Sequence, residues 1–335
     1  MIKEWQPDGI IAQWGEDIGF LESLNIPVFL QNYKEENKNL SNITGGYLET
    51  GAMAARFFID RRYTNFAFYG NKGFIWSKER AEGFRIEVEK VNGNFFYFET
   101  ESLSGEQWSS GHTDLEDWLA SLPKPVALFA CDDSFALQVS EICKINDIAI
   151  PDDIALLGVD NDELICDLSS PSISSIVLAA EKSGYEVAEQ IHQSIKKGSR
   201  KKFNAFIDSV RIELRQSTEK YNIENEYILE VVDYIRNHFE KELSIAAILQ
   251  KVPLSRRSLE MKFKAEMGVS VYQFLLNQRL ANVAYLLQTT DKSLLDITLE
   301  SGFNDTRTVY RIFKKEKGYT PIEYRNKFAE AFQLV

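Results

Sequence analysis

Cysteine and histidine are scarce, with three of each among 335 residues. Cys131, Cys143 and Cys166 lie far apart and form no Cys-x-x-Cys, so neither a disulfide framework nor a zinc site is indicated. Small buried thiols are the expectation instead. His112, His192 and His238 have no metal-ligand spacing, no Gly-x-Ser-x-Gly occurs, and the GNKG beginning at Gly70 is too short for a phosphate loop. No run approaches the roughly 18 consecutive apolar residues of a membrane span. The opening MIKEWQPDG holds no signal-peptide apolar stretch. These absences predict a globular, cytoplasmic protein with no metal, no cofactor and no membrane partner, and not an enzyme.

What is present is an excess of acid, with a formal net charge of -12. The excess is uneven. From Glu224 onward there are sixteen Lys and Arg against fifteen Asp and Glu, so the acidity belongs to the first two thirds. Within the near-neutral remainder, GFNDTRTVYRIFKKEKGYTPIEYRNK gathers seven Lys and Arg against three acids. A segment without net charge can still bind a polyanion if its cations share one face.

Up to about residue 170, short apolar runs alternate with amphipathic stretches. DGIIAQW, PVFLQN, NFAFYGN, NFFYFET, PVALFACDD and IALLGVDN are separated by patterns such as GAMAARFFIDRR and FALQVSEICKIN. Apolar runs without polar alternation suit strands covered on both faces. The succession predicts an α/β, doubly wound parallel sheet. A further strand-like ISSIVL, a helix from about Ala179 to Lys197 and FNAFIDSVRIELRQST follow. The predicted boundaries are a first domain over 1–217, a linker over 218–224 and an all-helical domain over 225–335.

The helical domain is duplicated. MKFKAEMGVSVYQF and RIFKKEKGYTPIEY match at a spacing of 50 residues, pairing Phe263 with Phe313, Lys264 with Lys314 and Gly268 with Gly318. Each copy has a helix-turn-helix outline. Ser244 is placed to cap IAAILQK, and Ser255 to cap RRSLEMKFKAE after a turn at Val252-Pro253-Leu254. In the second copy Ser293 precedes LLDITLE, the turn centres on Gly302, and Asn304 or Asp305 caps TRTVYRIFKKE. Leu276, Leu280, Val283 and Leu287 give the connecting helix one apolar stripe.

Val309 and Phe313 share the inward face of the second reading helix, which leaves Thr306, Arg307, Tyr310, Arg311 and Lys314 pointing outward beside Asn304. Arg256, Arg257, Glu260 and Lys264 are the outward set in the first copy. Arginine reads guanine bidentately in the major groove and lysine neutralises phosphates. Two such helices held about 34 Å apart reach successive grooves of one duplex.

At these residues the segment from about Asn225 to Lys327 resembles the DNA-binding domain of AraC-type transcription regulators, most specifically in ESGFNDTRTVYRIFKKEKGYTPIEYR and LSRRSLEMKFKAEMGVSVYQFLLNQRLANVAYLL. The resemblance implies that both reading helices contact an operator of double-stranded DNA, with RNA polymerase a further partner. Pro253 stands where that family commonly has Gly, and Val309 where it has an aromatic.

In the first domain, polar residues end three strands: NKGFIWSKERAEGF, ACDDS and GVDNDE. Ligands of doubly wound sheets bind at the carboxyl ends of strands. Trp76, Arg80, Asp132, Asp133, Asp160 and Asn161 are thereby candidates for holding a polyhydroxylated ligand. Carboxylates and an arginine engage vicinal hydroxyls, and an indole stacks on a sugar ring. DD and DN pairs are equally ordinary strand-end turn chemistry.

The same stretches resemble the sensor domains of lac-repressor-like regulators, themselves similar to periplasmic sugar-binding proteins. Their fusion to an AraC-type module resembles the xylose-responsive operon regulators. That resemblance implies a two-lobed sensor whose first lobe is incomplete, because an opening strand and helix would be expected upstream of KEWQPDGIIA. It further implies a homodimer and a pentose effector, D-xylose. A sugar-binding module acting through protein partners, or a sugar-processing enzyme, are the alternatives.

Overall fold

The structure is a computed structural model that describes residues 2–13, 18–31, 36–100, 108–199, 201–241 and 243–328. It divides into two compact units, Met1–Lys220 and Tyr221–Val335.

The first unit contains two sheets. The smaller, in the order β1 (Ile10–Gln13), β2 (Val28–Gln31), β3 (Ser41–Gly45) and β9 (Asn204–Ile207), is parallel throughout. The larger has the order β10 (Ser209–Glu213), β8 (Ser174–Leu178), β7 (Ile154–Val159), β6 (Val126–Ala130), β4 (Asn65–Asn71) and β5 (Asn94–Thr100). Among the described residues β10 runs antiparallel to β8, and the other pairs of this sheet are parallel. Every residue of β6 and β7 is buried, as their unbroken apolar runs require. The helices are α1 (Ile2–Trp5), α2 (Ile18–Ser23), α3 (Tyr47–Asp60), α4 (Ile75–Lys90), α5 (Trp108–Ser121), α6 (Asp133–Ile145), α7 (Glu163–Leu168) and α8 (Ala180–Lys197). Phe58, Phe66, Phe84 and Phe129 are fully buried in the main core, and each side chain of that size contributes about 1.5–3 kcal/mol.

The chain passes between the two sheets three times: from β3 into α3, from β8 into α8, and from β9 into β10. The crossings are bonded side by side, Gly46 N to Ile207 O at 3.0 Å and Ala179 N to Asp208 O at 2.8 Å. They form the hinge of a two-lobed α/β domain. Beyond it α3 and α4 touch backbone to backbone. A Cβ on Gly51 would lie 1.9 Å from Arg80 O, and one on Gly83 equally close to Leu48 O. Only glycine fits at either position.

The second unit is helical: α9 (Glu226–Arg236), α10 (Ile245–Leu249), α11 (Arg256–Met267), α12 (Val271–Thr289), α13 (Leu294–Glu300), α14 (Thr306–Lys317) and α15 (Pro321–Phe328). It has two small cores. Ile228, Val232, Leu259 and Phe263 lie in one, and Ile297, Val309 and Phe313 in the other. The connecting helix α12 feeds both, through Phe274 and Leu275 on the first side and Leu280, Val283 and Leu287 on the second. The stretch expected as a linker is engaged at both ends. Thr218 is buried in the first unit, and Tyr221 and Ile223 belong to the first helical core.

The second unit's two halves meet at Arg279 of α12. Its Nε donates to Phe239 O and its Nη2 to Lys241 O, both at 2.8 Å. Gly302, with φ +76°, presses against the same place, where an added Cβ would sit 2.5 Å from Phe239 O and 2.8 Å from Arg279 Nε. The left-handed backbone alone costs an L-residue about 1–2 kcal/mol. We therefore expect Gly302→Ala to lower the stability of the helical unit by more than about 2 kcal/mol. The readout is the helical circular-dichroism signal during urea unfolding, and an unchanged midpoint would remove Gly302 from the junction.

Among the described residues no helix is long and apolar enough to cross a membrane, and no group of three or more His, Cys, Asp or Glu could hold a metal ion. All three cysteines are buried free thiols.

Candidate functional site

Four strand ends build the first site. Arg80, on α4 after β4, is 4% exposed. Its Nη1 donates to Cys131 O at the end of β6 (2.5 Å), and its Nη2 lies 3.7 Å from Asp160 Oδ1 after β7. The guanidinium is flanked by two rings, 5.2 Å from the Trp76 centroid and 5.7 Å from that of Tyr47. Arg80 Nε is buried with no hydrogen-bond partner among the described residues. A buried charged donor left without an acceptor is costly, and a ligand oxygen would relieve it.

Asp160 keeps half its side chain accessible. Its enclosed position raises its pKa and Arg80 opposes the rise. Asp132 is half-buried and caps α6 by accepting from Phe135 N at 2.8 Å. Burial raises its pKa too, against the pull of that bond. Acidic, cationic and aromatic groups thus converge, which is the chemistry for chelating hydroxyls and stacking on a ring's apolar face.

Of the six residues singled out from sequence, Trp76, Arg80, Asp132 and Asp160 come together. Asp133 and Asn161 point elsewhere. Asp133 is 2% exposed, and its two carboxylate oxygens accept from Ser175 Oγ (2.6 Å) and from Asp162 N (2.7 Å). It thereby ties the loop after β7 to β8. Asn161 Oδ1 accepts from Arg215 Nη1 at 2.9 Å. Tyr47 is a further member of this cluster by its ring's approach to Arg80, and was not singled out from sequence. The available signal was Gly45-Gly46, which ends β3 and starts α3.

Burial pushes the Asp133 carboxyl up to about 7, with its hydrogen bonds acting in the opposite direction. The folded state therefore holds that proton more tightly than the unfolded chain, so stability is lost as pH rises from the unfolded value, about 4, through about 7. Asp133→Asn should flatten this fall. Denaturation midpoints between about pH 5 and pH 8 provide the check, and parallel curves for parent and variant would contradict it.

The second site is the pair α11 and α14. Ser255 accepts from Ser258 N (3.2 Å), and Asp305 from Arg307 N (2.8 Å) and Thr308 N (3.2 Å). These caps start each helix at a fixed residue, which sets what faces outward. Leu259 and Phe263 in one, and Val309 and Phe313 in the other, are fully buried. Arg256, Arg257 and Lys264 are exposed on α11, as are Arg307, Tyr310, Arg311 and Lys314 on α14. Asn304 is exposed just before the second helix, while Glu260 and Thr306 are half-buried. No described carboxylate lies within ion-pair distance of these arginines and lysines, so their charge is left for an anion.

Pro253 does not prevent the first turn, where Leu254 N bonds to Val252 O at 2.8 Å. None of residues 252–254 has positive φ, so proline's fixed φ is compatible there. Val309 fills its place in the second core without exposed surface.

A periplasmic binding protein-like domain model matches residues 55–218, and a helix-turn-helix domain model residues 248–327. The chain is 27% identical over 338 residues to the xylose operon regulatory protein of Escherichia coli (strain K12), spanning 98% of this chain and 86% of that protein. The xylose operon regulatory protein of Haemophilus influenzae is 28% identical over 333 residues, at 97% and 86% coverage. A solved structure of a xylose-binding transcription activator superposes with TM-score 0.59 at 26% identity, covering 96% of this chain and 87% of that one. A LacI family regulator from Enterococcus faecium with bound ribose shares the fold at TM-score 0.56 and 18% identity, over 65% of this chain and 81% of that one.

Proposed function

We propose that this chain, an AraC-type transcription regulator with a periplasmic binding protein-like sensor domain, responds to D-xylose held at Arg80 and reads its operator with α11 and α14. The carrying observation is the Arg80 cluster. A buried guanidinium with an unmet donor sits between two aromatic faces and beside the half-open Asp160 carboxylate. That arrangement suits a small polyol with an apolar ring face and no formal charge. Asp132 and Asp160 accept from vicinal hydroxyls, Arg80 Nε donates to a ring or hydroxyl oxygen, and Trp76 or Tyr47 covers the C–H face. The relatives' names favour a pentose, and xylose among pentoses.

The bound sugar has to favour one arrangement of the lobes about the three-strand hinge, since a ligand with equal affinity for both would switch nothing. Two chains acting as a dimer would place further reading helices along the operator, and RNA polymerase is the partner through which an activator would act. The test begins by selecting duplexes that bind the full chain from a random-sequence pool. The selected duplex is then titrated at one salt concentration with and without D-xylose, alongside calorimetry against a panel of pentoses and hexoses. A shift in duplex affinity with xylose supports the reading. No sugar binding, or no shift at saturation, refutes it.

A further inference from the structure

Asp160 and Asn161 are consecutive non-glycine residues with positive φ, +104° and +55°. Such backbone persists only where its surroundings impose it, and it is frequent in ligand clamps and switches. Here Asp160 N donates to Ile176 O (2.9 Å) and Asn161 N to Ser175 Oγ (3.0 Å), which fixes the peptides onto β8. The two side chains then part. Asp160 turns to Arg80, and Asn161 is held from the other side by Arg215.

Arg215 lies in the last stretch of the first unit. Nη1 donates to Asn161 Oδ1 (2.9 Å) and to Ile173 O (3.1 Å), while Nε donates to Asp167 Oδ1 on α7 (2.5 Å). Its own backbone is tied to β8, the strand onto which the Asp160–Asn161 loop is bonded. Arg215 N donates to Ser174 Oγ at 2.8 Å, and in the short helix that follows, Gln216–Thr218, Ser217 Oγ donates to Leu156 O of β7 at 2.6 Å. The chain then leaves for the helical unit at Tyr221.

We propose that Arg215 is the positioning residue that couples sugar engagement at Asp160 to the segment entering the reading domain. Asp160 and Asn161 share one strained peptide, so rotating the Asp160 carboxylate toward hydroxyls tilts that peptide. The tilt pulls on the Asn161–Arg215 bond, and Arg215 carries it into Gln216–Thr218. Asp167 holds Nε of the same guanidinium while Nη1 holds Asn161, so a shift of Asn161 changes the load on both bonds. The inference rests on the sensor reading above.

The experiment compares the parent with Arg215→Gln and Asp167→Asn, all full length, with D-xylose and the selected duplex as probes. The measured quantity is the ratio of duplex affinity with and without saturating xylose. Arg215→Gln is expected to bring that ratio to within about twofold of one, with xylose affinity in the absence of DNA changed by less than about threefold, because coupling and binding are separate free energies. Asp167 is exposed on a short helix, so Asp167→Asn is expected to keep the fold and to reduce the ratio part-way. Full coupling in Arg215→Gln overturns the proposal. If that variant fails to fold, unchanged coupling in Asp167→Asn overturns it instead. A parent that shows no xylose effect sinks the sensor reading itself, and is thereby told apart from failure of the relay.

Discussion

Replacing Asp160 by asparagine is expected to weaken D-xylose binding by about a hundredfold or more while leaving sugar-free duplex affinity within about twofold. A hydrogen bond to a charged group contributes about 1.5–3 kcal/mol, and the proposed pose gives this carboxylate two hydroxyls. Asparagine, like the aspartate it replaces, tolerates positive φ better than other non-glycine residues, so the φ of +104° argues for this replacement over alanine. The variant also leaves Arg80 facing one acid fewer, Asp132 being its remaining acidic neighbour among the site residues. Calorimetry gives the sugar affinity, and fluorescence anisotropy gives the duplex affinity. Parent-like xylose affinity would exclude Asp160 as a sugar ligand. Parallel loss of sugar-free DNA binding would make it structural.

Arg307→Ala and Arg311→Ala should each cost about 1–3 kcal/mol on the selected duplex, roughly 5- to 150-fold, if each reads a base edge. Both side chains are exposed on a helix whose inward face is fixed by Val309 and Phe313. A helix pinned in rotation presents the same arc to every duplex, which lets individual base pairs be discriminated. The expected signature is a changed preference at one position per arginine, seen by repeating the selection with each variant. Lys314→Ala should instead weaken all duplexes alike and lower the salt slope by about one unit. Should the arginine variants also weaken every sequence equally, their contacts are with phosphates alone.

Much of this architecture was legible because burial on both faces leaves a plain mark. The apolar runs at the heart of β4, β6 and β7, short and bounded by polar residues, read as strands covered on both faces. Strand β3, Ser41–Gly45, was not legible. Its SNITG is short and polar, and its place comes from pairing with β2 and β9. FNAFIDSVRIEL looked like one ambiguous piece because it is two strands that part at Asp208 into different sheets.

Similar physics governed the sites. Asp132 and Asp133 are adjacent acids at one strand end, and nothing in the pair says which faces the ligand. The structure separates them: Asp132 caps α6 near Arg80, whereas Asp133 is buried and accepts from Ser175 on β8. Arg80 was recognisable from its ERAEGF context, whereas Tyr47 arrives from the end of a strand in the other sheet, marked locally by nothing more than the Gly45-Gly46 pair before it. The reading helices were the most transparent element. An i, i+4 pair of large apolar residues after a capping residue fixes the outward arc without reference to anything remote.

The position of β9 bears on how the molecule is made. β3 has its outer neighbour in Asn204–Ile207, so the small sheet, although its first three strands leave the ribosome early, lacks its closing strand until the whole larger sheet except β10 has been synthesised. Nascent chains halted before that point would carry an unzipped β3 flank, the kind of surface on which strands from neighbouring polypeptides add. A translation pause in that interval would lengthen the time for which that flank stays open.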